Sequence, residues 1–151
     1  MGRKFLVAVD GSDHGWKALD LAVDQAKTSG VELIIVHVAK SEPVPDAIKE
    51  LSRAERVPIA EETARYYASK EIGDKIIKEA KGRVGKTEFT RYTTRVAHGN
   101  VSNQIVRLAE LEGVETIFIG SRGLGDVKGL LMGSISHKVM NLAPCTCVAV
   151  R

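Results

Sequence analysis

Apolar runs alternate along the chain with segments in which apolar residues recur every three or four positions. The runs at residues 5–9, 33–38, 116–119 and 147–150 predict buried strands of a parallel sheet, because such strands are apolar on both faces. Residues 92–98 instead alternate polar and apolar side chains, which is typical of an edge strand. The pattern therefore predicts five strands.

Helical spacing fills the segments between the strands. Apolar positions from residue 19 to residue 26 predict a first helix, capped by Ser12 or Asp13 and ended by Gly30. Further helices are predicted over residues 58–81, 101–113 and 134–142, and the irregular segment 40–57 has room for a short helix over 46–56. The buried face predicted for the helix 58–81 consists of Ala64, Tyr67, Ala68, Ile72, Ile76 and Ala80.

This alternation predicts one α/β domain over residues 1–151, with helices on both faces of a five-stranded parallel sheet. The expected strand order is 3-2-1-4-5, which reverses direction between strands 1 and 4. Ligands of such sheets bind at the carboxyl ends of the strands beside that reversal. We therefore expect a site where the loops after strands 1 and 4 meet.

The loop after strand 4 is rich in glycine. Five of the 14 glycines lie between Gly120 and Gly133, between a predicted strand and a predicted helix. Glycine lets backbone N–H groups approach a phosphate closely, and a helix N-terminus adds partial positive charge. Ser134 and Ser136 supply hydroxyl donors. The segment predicts a phosphate cradle, and hence nucleotide binding.

Composition excludes several other functions. A formal charge of +3, spread evenly along the chain, and an aromatic content of 5% argue against a nucleic-acid partner. No apolar run approaches the roughly 20 residues of a membrane span. The first strand begins too early for a signal peptide, so we expect a cytoplasmic protein. Cys145 and Cys147 lack the further ligands of a zinc site and are interpreted as reduced packing residues.

The glycine spacing matches the motif G-2x-G-9x-G-[S/T] at Gly120, Gly123, Gly133 and Ser134. Together with Asp10-Gly11-Ser12 after strand 1, the His-Val pair that ends at Val38, and the carboxyl-terminal segment, this motif resembles the universal stress protein family. The resemblance implies a flavodoxin-like fold and a homodimer. It also places the chain among the members that bind ATP, because those members carry this motif.

Matching to the family implies the roles of the site residues. Asp10 lies beside the nucleotide, where it can order a metal on the phosphates; alternatively, it accepts hydrogen bonds from the N–H groups of its own turn. The backbone of Val38 reads adenine; alternatively, Val38 is a core valine. Arg122 pairs with phosphate; alternatively, it is an exposed loop arginine.

The remaining matched positions surround the ribose and the phosphates. Gly120 and Gly123 let the chain pass close to them, and Gly133 begins the stretch whose N–H groups face the phosphates. Ser134 is also interpreted as a possible helix N-cap, which uses the same geometry. The complete predicted set of cofactor-binding residues is Asp10, Gly11, Ser12, Val38, Ile119, Gly120, Arg122, Gly123, Gly133, Ser134, Ile135 and Ser136.

We therefore predict a regulatory module that binds ATP, ADP or AMP, with Mg²⁺ or Mn²⁺ held through the phosphates. Its protein partner is unidentified, and partner specificity is assigned to the segment 40–57. The alternatives are a slow ATPase or phosphotransferase, and a dimeric interaction module without nucleotide. The homodimer is expected to form along residues 147–150, since that sheet edge carries no protective charge, whereas the opposite edge carries Arg95.

Overall fold

A computed structural model describes residues 2–40, 46–55, 61–124, 129 and 131–151. The strands are β1 (Lys4–Ala8), β2 (Glu32–Ala39), β3 (Tyr92–His98), β4 (Thr116–Gly120) and β5 (Thr146–Val150). The helices are α1 (Asp13–Ser29), α2 (Asp46–Glu55), α3 (Glu61–Gly85), α4 (Val101–Glu112) and α5 (Ser134–Leu142).

The five strands form one sheet in the order β3-β2-β1-β4-β5, and every neighbouring pair is parallel. The predicted fold class and strand order are therefore confirmed. The reversal between β1 and β4 lies in the centre of the sheet, where the predicted ligand loops follow both strands. None of the described helices is both long and apolar enough to cross a bilayer.

Two apolar clusters cover the two faces of the sheet. On one face, α1 and α3 pack on side chains that include Val7 and Ile35. On the other face, α4 and α5 pack on side chains that include Leu6 and Ile34. Adjacent strand residues thus serve opposite clusters, which explains why the central strands are continuous apolar runs.

Local signals determine where the helices begin and end. The Ser12 hydroxyl accepts a hydrogen bond from Gly15 N–H and caps α1, which Gly30 ends with a φ of 66°. Asn100 and Gly113 bound α4 in the same way. Of the two caps predicted for α1, Ser12 is therefore the one used.

The buried face predicted for α3 is partly wrong. Ile76 and Ala80 are buried, but Ala64, Tyr67, Ala68 and Ile72 are exposed. At about 1.5 Å per residue, the 25 residues of α3 span roughly 37 Å, whereas the eight residues of β2 span roughly 26 Å. The helix is longer than the strands it covers, so part of its apolar surface has no sheet to pack on.

The end of α3 also differs from the prediction. Val84 is 1% exposed and continues the face of Ile76 and Ala80 at intervals of four residues, so the helix reaches Gly85 rather than residue 81. The predicted helix start at Pro58 lies outside the described residues. So do residues 41–45 and 56–57 of the segment to which partner specificity was assigned.

Both cysteines are reduced and lie against the cluster of α4 and α5. Burial raises the pKa of both thiols, which lowers the fraction present as reactive thiolate. We expect alkylation by iodoacetamide to need a higher pH in the folded protein than in the same protein unfolded in urea. Mass spectrometry across a pH series measures this, and coincident pH profiles would contradict the packing role.

Candidate nucleotide-binding site

A cavity of about 450 Å³ lies at the carboxyl ends of β1, β2 and β4. This is the crevice at the reversal of strand order, and the volume falls within the range of small-molecule sites, about 300–1,000 Å³. One wall is α3, and the other is formed by the first turns of α4 and α5. The cavity therefore lies where the sequence predicts a ligand.

Nine of the twelve predicted residues line the cavity: Asp10, Ser12, Val38, Ile119, Gly120, Arg122, Gly123, Ile135 and Ser136. Gly11, Gly133 and Ser134 are not among the lining residues. The lining residues that the sequence analysis missed are Ala8, Val9, His37, Ala39, Lys40, Arg65, Ala68, Ser69, Ile72, Ile76, Val101, Ile105 and Leu124. Helical spacing predicted Ala68, Ile72 and Ile76 as buried residues. Ile76 is buried in the core and also lines the cavity, whereas Ala68 and Ile72 are exposed there.

Two exposed apolar side chains line this cavity. Ile72 on α3 is 58% exposed, and Leu124 in the glycine-rich loop is 69% exposed. Apolar surface that faces a cavity rather than bulk solvent gains free energy when a ligand covers it. The walls therefore favour a ligand that has an apolar, flat or aliphatic part.

Asp10 joins the two loops of the site. One carboxylate oxygen, Oδ1, accepts hydrogen bonds from the N–H (3.0 Å) and the hydroxyl of Ser12. The other oxygen, Oδ2, accepts from Leu124 N–H at 3.3 Å. The carboxylate thus accepts hydrogen bonds within its own turn, which is the alternative role predicted for it. It also links the glycine-rich loop to the turn after β1.

Charge at the cavity is mainly positive. Among the described residues that line it, Lys40, Arg65 and Arg122 are cationic, and Asp10 is the one carboxylate. Arg65 is also paired with Glu61 on the preceding turn of α3, and both side chains are exposed. Exposed pairs of this kind are weak, so the guanidinium remains available to an anionic ligand. The cavity therefore suits an anion.

The N-terminus of α5 differs in one detail from the prediction. Gly133 is the N-cap, and Ser134 is the first helical residue, so the interpretation of Ser134 as N-cap is wrong. Since glycine has no side chain, α5 begins without a side-chain cap hydrogen bond. First-turn N–H groups of an uncapped helix are donors that an anion can satisfy.

Ser136 has a structural task as well. Its hydroxyl donates to the carbonyl of Ser121 at 2.7 Å, and it lies 3.1 Å from the carbonyl of Gly133. The side chain is 3% exposed. The hydroxyl therefore holds the start of α5 against the end of β4.

The central strands end at different heights, which leaves a step in the sheet. The register of β1 with β2 stops at Ala8 opposite Val36, and one further backbone bond, Val9 N–H to Val36 O, measures 2.9 Å. Strand β2 continues to Ala39, paired with β3. The last residues of β2 therefore have a backbone neighbour on the β3 side only.

Val38 lies on this step. The carbonyl of Ala39 accepts from Gly99 N–H at 2.9 Å and so points toward β3. Successive residues of a strand direct their peptide groups to alternate sides, so the N–H and C=O of Val38 point toward the β1 side, beyond the end of β1. Neither group has a backbone partner among the described residues, although Val38 is only 7% exposed.

A serine and a histidine meet beside the cavity, a contact that the sequence did not reveal. His14 Nδ1 lies 3.0 Å from the hydroxyl of Ser121, which is 2% exposed. Neither residue lines the cavity. The buried hydroxyl is out of reach of a ligand there, so the contact fastens α1 to the end of β4 instead of forming a nucleophile and its base.

The doubly wound sheet defines an α/β domain, and the apolar crevice at its reversal point and the uncapped helix form a candidate ligand site. The sequence profile of the Universal stress protein family matches residues 1–151. The chain belongs to that family. Universal stress protein YxiE of Bacillus subtilis is 36% identical over 151 residues, and the alignment covers 100% of both chains. A universal stress protein of Thermus aquaticus is 34% identical over 151 residues, again with 100% of both chains covered.

Solved structures share the fold. Universal stress protein UspA from Lactobacillus plantarum superimposes with a TM-score of 0.77 at 21% identity, over 99% of this chain and 97% of that one. A universal stress protein in complex with cAMP gives 0.68 at 25% identity, over 99% and 97%. An Archaeoglobus fulgidus universal stress protein in complex with dAMP gives 0.67 at 18% identity, over 99% and 98%. At 21% and 18% identity, the first and third likenesses establish the fold alone.

Gly120 has a packing reason to be glycine. A Cβ at this position would lie 2.7 Å from Gly15 N and 2.7 Å from the carbonyl carbon of His14, so the end of β4 and the first turn of α1 would have to separate. We expect Gly120→Ala to lower the free energy of unfolding by about 2–3 kcal/mol. Urea denaturation measures the change.

Gly82 in α3 supplies the matched control. A Cβ there meets nothing within 4 Å, and the residue is exposed inside a helix. Gly82→Ala should stabilise the protein by about 0.5–1 kcal/mol. If Gly120→Ala were as harmless as Gly82→Ala, the packing explanation would be wrong.

Proposed function

We propose that the cavity binds an adenine nucleotide, ATP in the first instance, and that its occupancy is the signal of a regulatory module. The observation that carries the proposal is the unpaired peptide of Val38 on the wall of an apolar cavity. Buried N–H and C=O groups without partners are costly, so a site that contains them favours a ligand that pairs with both.

Adenine fits this requirement. It presents an exocyclic amino donor beside a ring-nitrogen acceptor on one edge, which complements the backbone C=O and N–H of a single residue, Val38. Its flat faces suit the apolar side chains on the walls, among them Ile72 and Ile105. A 6-oxo purine presents an acceptor where adenine presents a donor, so it would oppose the carbonyl of Val38.

The phosphates are assigned to the other end of the site. The first turn of α5 offers uncapped N–H groups, and Arg122 and Lys40 add positive charge. Ser134 is exposed at the start of that helix, just beyond the cavity lining. A divalent cation would be held chiefly through the phosphates, with Asp10 as the carboxylate that the described part of the wall offers. Of the related structures, the one in complex with cAMP supports an adenine ligand.

Regulation would act through the loops that the ligand touches. Asp10 connects the turn after β1 to Leu124 in the glycine-rich loop by one hydrogen bond of 3.3 Å. A nucleotide that contacts both Asp10 and the start of α5 would add further connections between the same two loops. Binding would therefore order that part of the surface, which is the part a protein partner could read.

A pair of isosteric variants tests the phosphate assignment. We expect Ser134→Asp to weaken ATP binding by at least about tenfold, because its carboxylate competes with the phosphates at the N-terminus of α5. Binding of adenosine, which lacks phosphates, should stay near that of the unmodified protein. Isothermal titration calorimetry with both ligands measures the two affinities.

Ser134→Asn is the control, since it has the shape of the aspartate without its charge. It should bind ATP within a few-fold of the unmodified protein. The aspartate should leave the melting temperature unchanged or raise it, because acidic groups stabilise helix N-termini. Equal ATP affinities for the two variants would exclude the phosphate from this position.

We also propose that β5 joins two copies of the chain. The carbonyl of Val150 accepts from Ser121 N–H at 2.7 Å, so the peptide groups of Val150 point toward β4. By alternation, those of Cys147 and Ala149 point away from the sheet. An edge strand without charged side chains between Thr146 and Val150 favours pairing with its own copy about a two-fold axis.

Ala149→Pro tests this interface, since it removes an outward N–H and leaves the bonds to β4 in place. We expect light scattering coupled to size exclusion to report twice the chain mass of 16.4 kDa for the unmodified protein and a shift toward monomer for the variant. Ala149→Ser keeps the N–H and should remain dimeric. A variant with proline that dimerises as well as the serine variant would argue against the interface.

A further inference from the structure

His37 occupies an unusual position at the end of β2. Its imidazole Nδ1 lies 2.9 Å from the carbonyl oxygen of Val9, and the residue is 7% exposed. A carbonyl oxygen can only accept, so Nδ1 carries the hydrogen and donates it. A side chain of one strand thus binds the backbone of its neighbour.

This bond replaces the next backbone bond of the sheet. After the bond from Val9 N–H to Val36 O, the pattern of a parallel pair continues with Val38 N–H donating to Val9 O. That bond is absent between these two described residues, and the oxygen it would use is held by His37. The ladder between β1 and β2 therefore ends one hydrogen bond early.

Helix α3 holds the imidazole in place from the other side. A Cβ on Gly73 would lie 3.2 Å from His37 Cδ2 and 3.6 Å from Nε2, so the glycine lets the helix pack directly on the ring edge. With one edge bonded to Val9 and the other against α3, the ring has little freedom to turn away. Burial of this kind restricts the side chain to one rotamer.

We propose that His37 is a positioning residue that keeps the peptide of Val38 free for the ligand. The imidazole satisfies the carbonyl of Val9, so the amide of Val38 is not drawn into the ladder and remains a donor to the base. The inference rests on the proposed function where it concerns ligand selectivity. The part that concerns the hydrogen bonds of the ligand-free protein does not depend on the proposed function.

Two variants separate the donor from the rest of the ring. His37→Leu removes the donor and keeps an apolar side chain of similar size against Gly73. His37→Asn places an amide N–H near the position of Nδ1 and removes Nε2. If the donor is what matters, asparagine should preserve the behaviour of the unmodified protein, and leucine should not.

The first measurement needs no ligand. Amide hydrogen exchange of ¹⁵N-labelled protein should show Val38 exchanging about tenfold more slowly in His37→Leu than in the unmodified protein, because its N–H now bonds to Val9. Val36 in the same strand should be unchanged, and His37→Asn should resemble the unmodified protein. Unchanged exchange of Val38 in the folded leucine variant would overturn the proposal. If that variant fails to fold, the unmodified protein alone decides. Equal protection of the Val38 and Val36 amides from exchange in the unmodified protein would then overturn the proposal.

The second measurement compares ATP with ITP, whose base carries a 6-oxo group. The unmodified protein and His37→Asn should prefer ATP, whereas His37→Leu should lose about tenfold in ATP affinity and most of that preference. A general loss of stability would weaken the binding of ATP and ITP equally and leave the ratio of their affinities unchanged. An unchanged ratio in a folded leucine variant would overturn the assignment. If the unmodified protein binds neither nucleotide while the exchange of Val38 responds as expected, the proposed function fails and the positioning role of His37 in the ladder is upheld.

Discussion

The site depends on the step in the sheet where β1 stops at Ala8 while β2 continues to Ala39. A parallel ladder satisfies the backbone only where both strands are present. Beyond the end of β1, the chain turns away into α1, and the peptide of Val38 loses its neighbour. The same step creates the crevice and supplies its most specific pair of hydrogen-bonding groups, so fold and site share one cause.

Asp10 both holds the loops of the site together and faces the cavity. Its two oxygens fasten Ser12 and Leu124, and the side chain also faces the cavity. Loss of this carboxylate would release the glycine-rich loop whether or not the residue touches a ligand. The behaviour of an Asp10 variant would therefore not separate the two roles, which is why substitutions at Ser134 and His37 are more informative.

The sequence predicted the parts of the structure that local patterns encode. Apolar runs located the strands, and Ser12, Gly30 and Gly113 located helix ends, because these signals act over a few residues. The strand order followed from the alternation of strands and helices. Nine of the twelve predicted site residues line the cavity because they lie in the last residues of strands whose carboxyl ends meet at one edge, or in the loops and the helix that follow those strands.

What the sequence could not reveal depends on contacts between distant segments. Apolar residues do recur along α3 at helical spacing, but Ala68 and Ile72 are exposed and face the cavity, whereas Ile76 and Ala80 are buried in the core. The bond between His37 and Val9 joins residues 28 positions apart, and the contact between His14 and Ser121 joins residues 107 apart. Gly73 likewise packs against the imidazole of His37, a residue 36 positions away in the sequence.

These contacts reduce the value of the glycine motif as evidence for nucleotide binding. Gly120 is needed for the packing of β4 against α1, which any protein with this fold and this close approach would require. A glycine retained for packing says little about phosphate. The backbone of Val38 is different, because its N–H and C=O have no backbone partner among the described residues and lie on the cavity wall, where a ligand can pair with both. The backbone of Val38, more than the glycine spacing, is therefore the feature on which the proposed nucleotide binding should be judged.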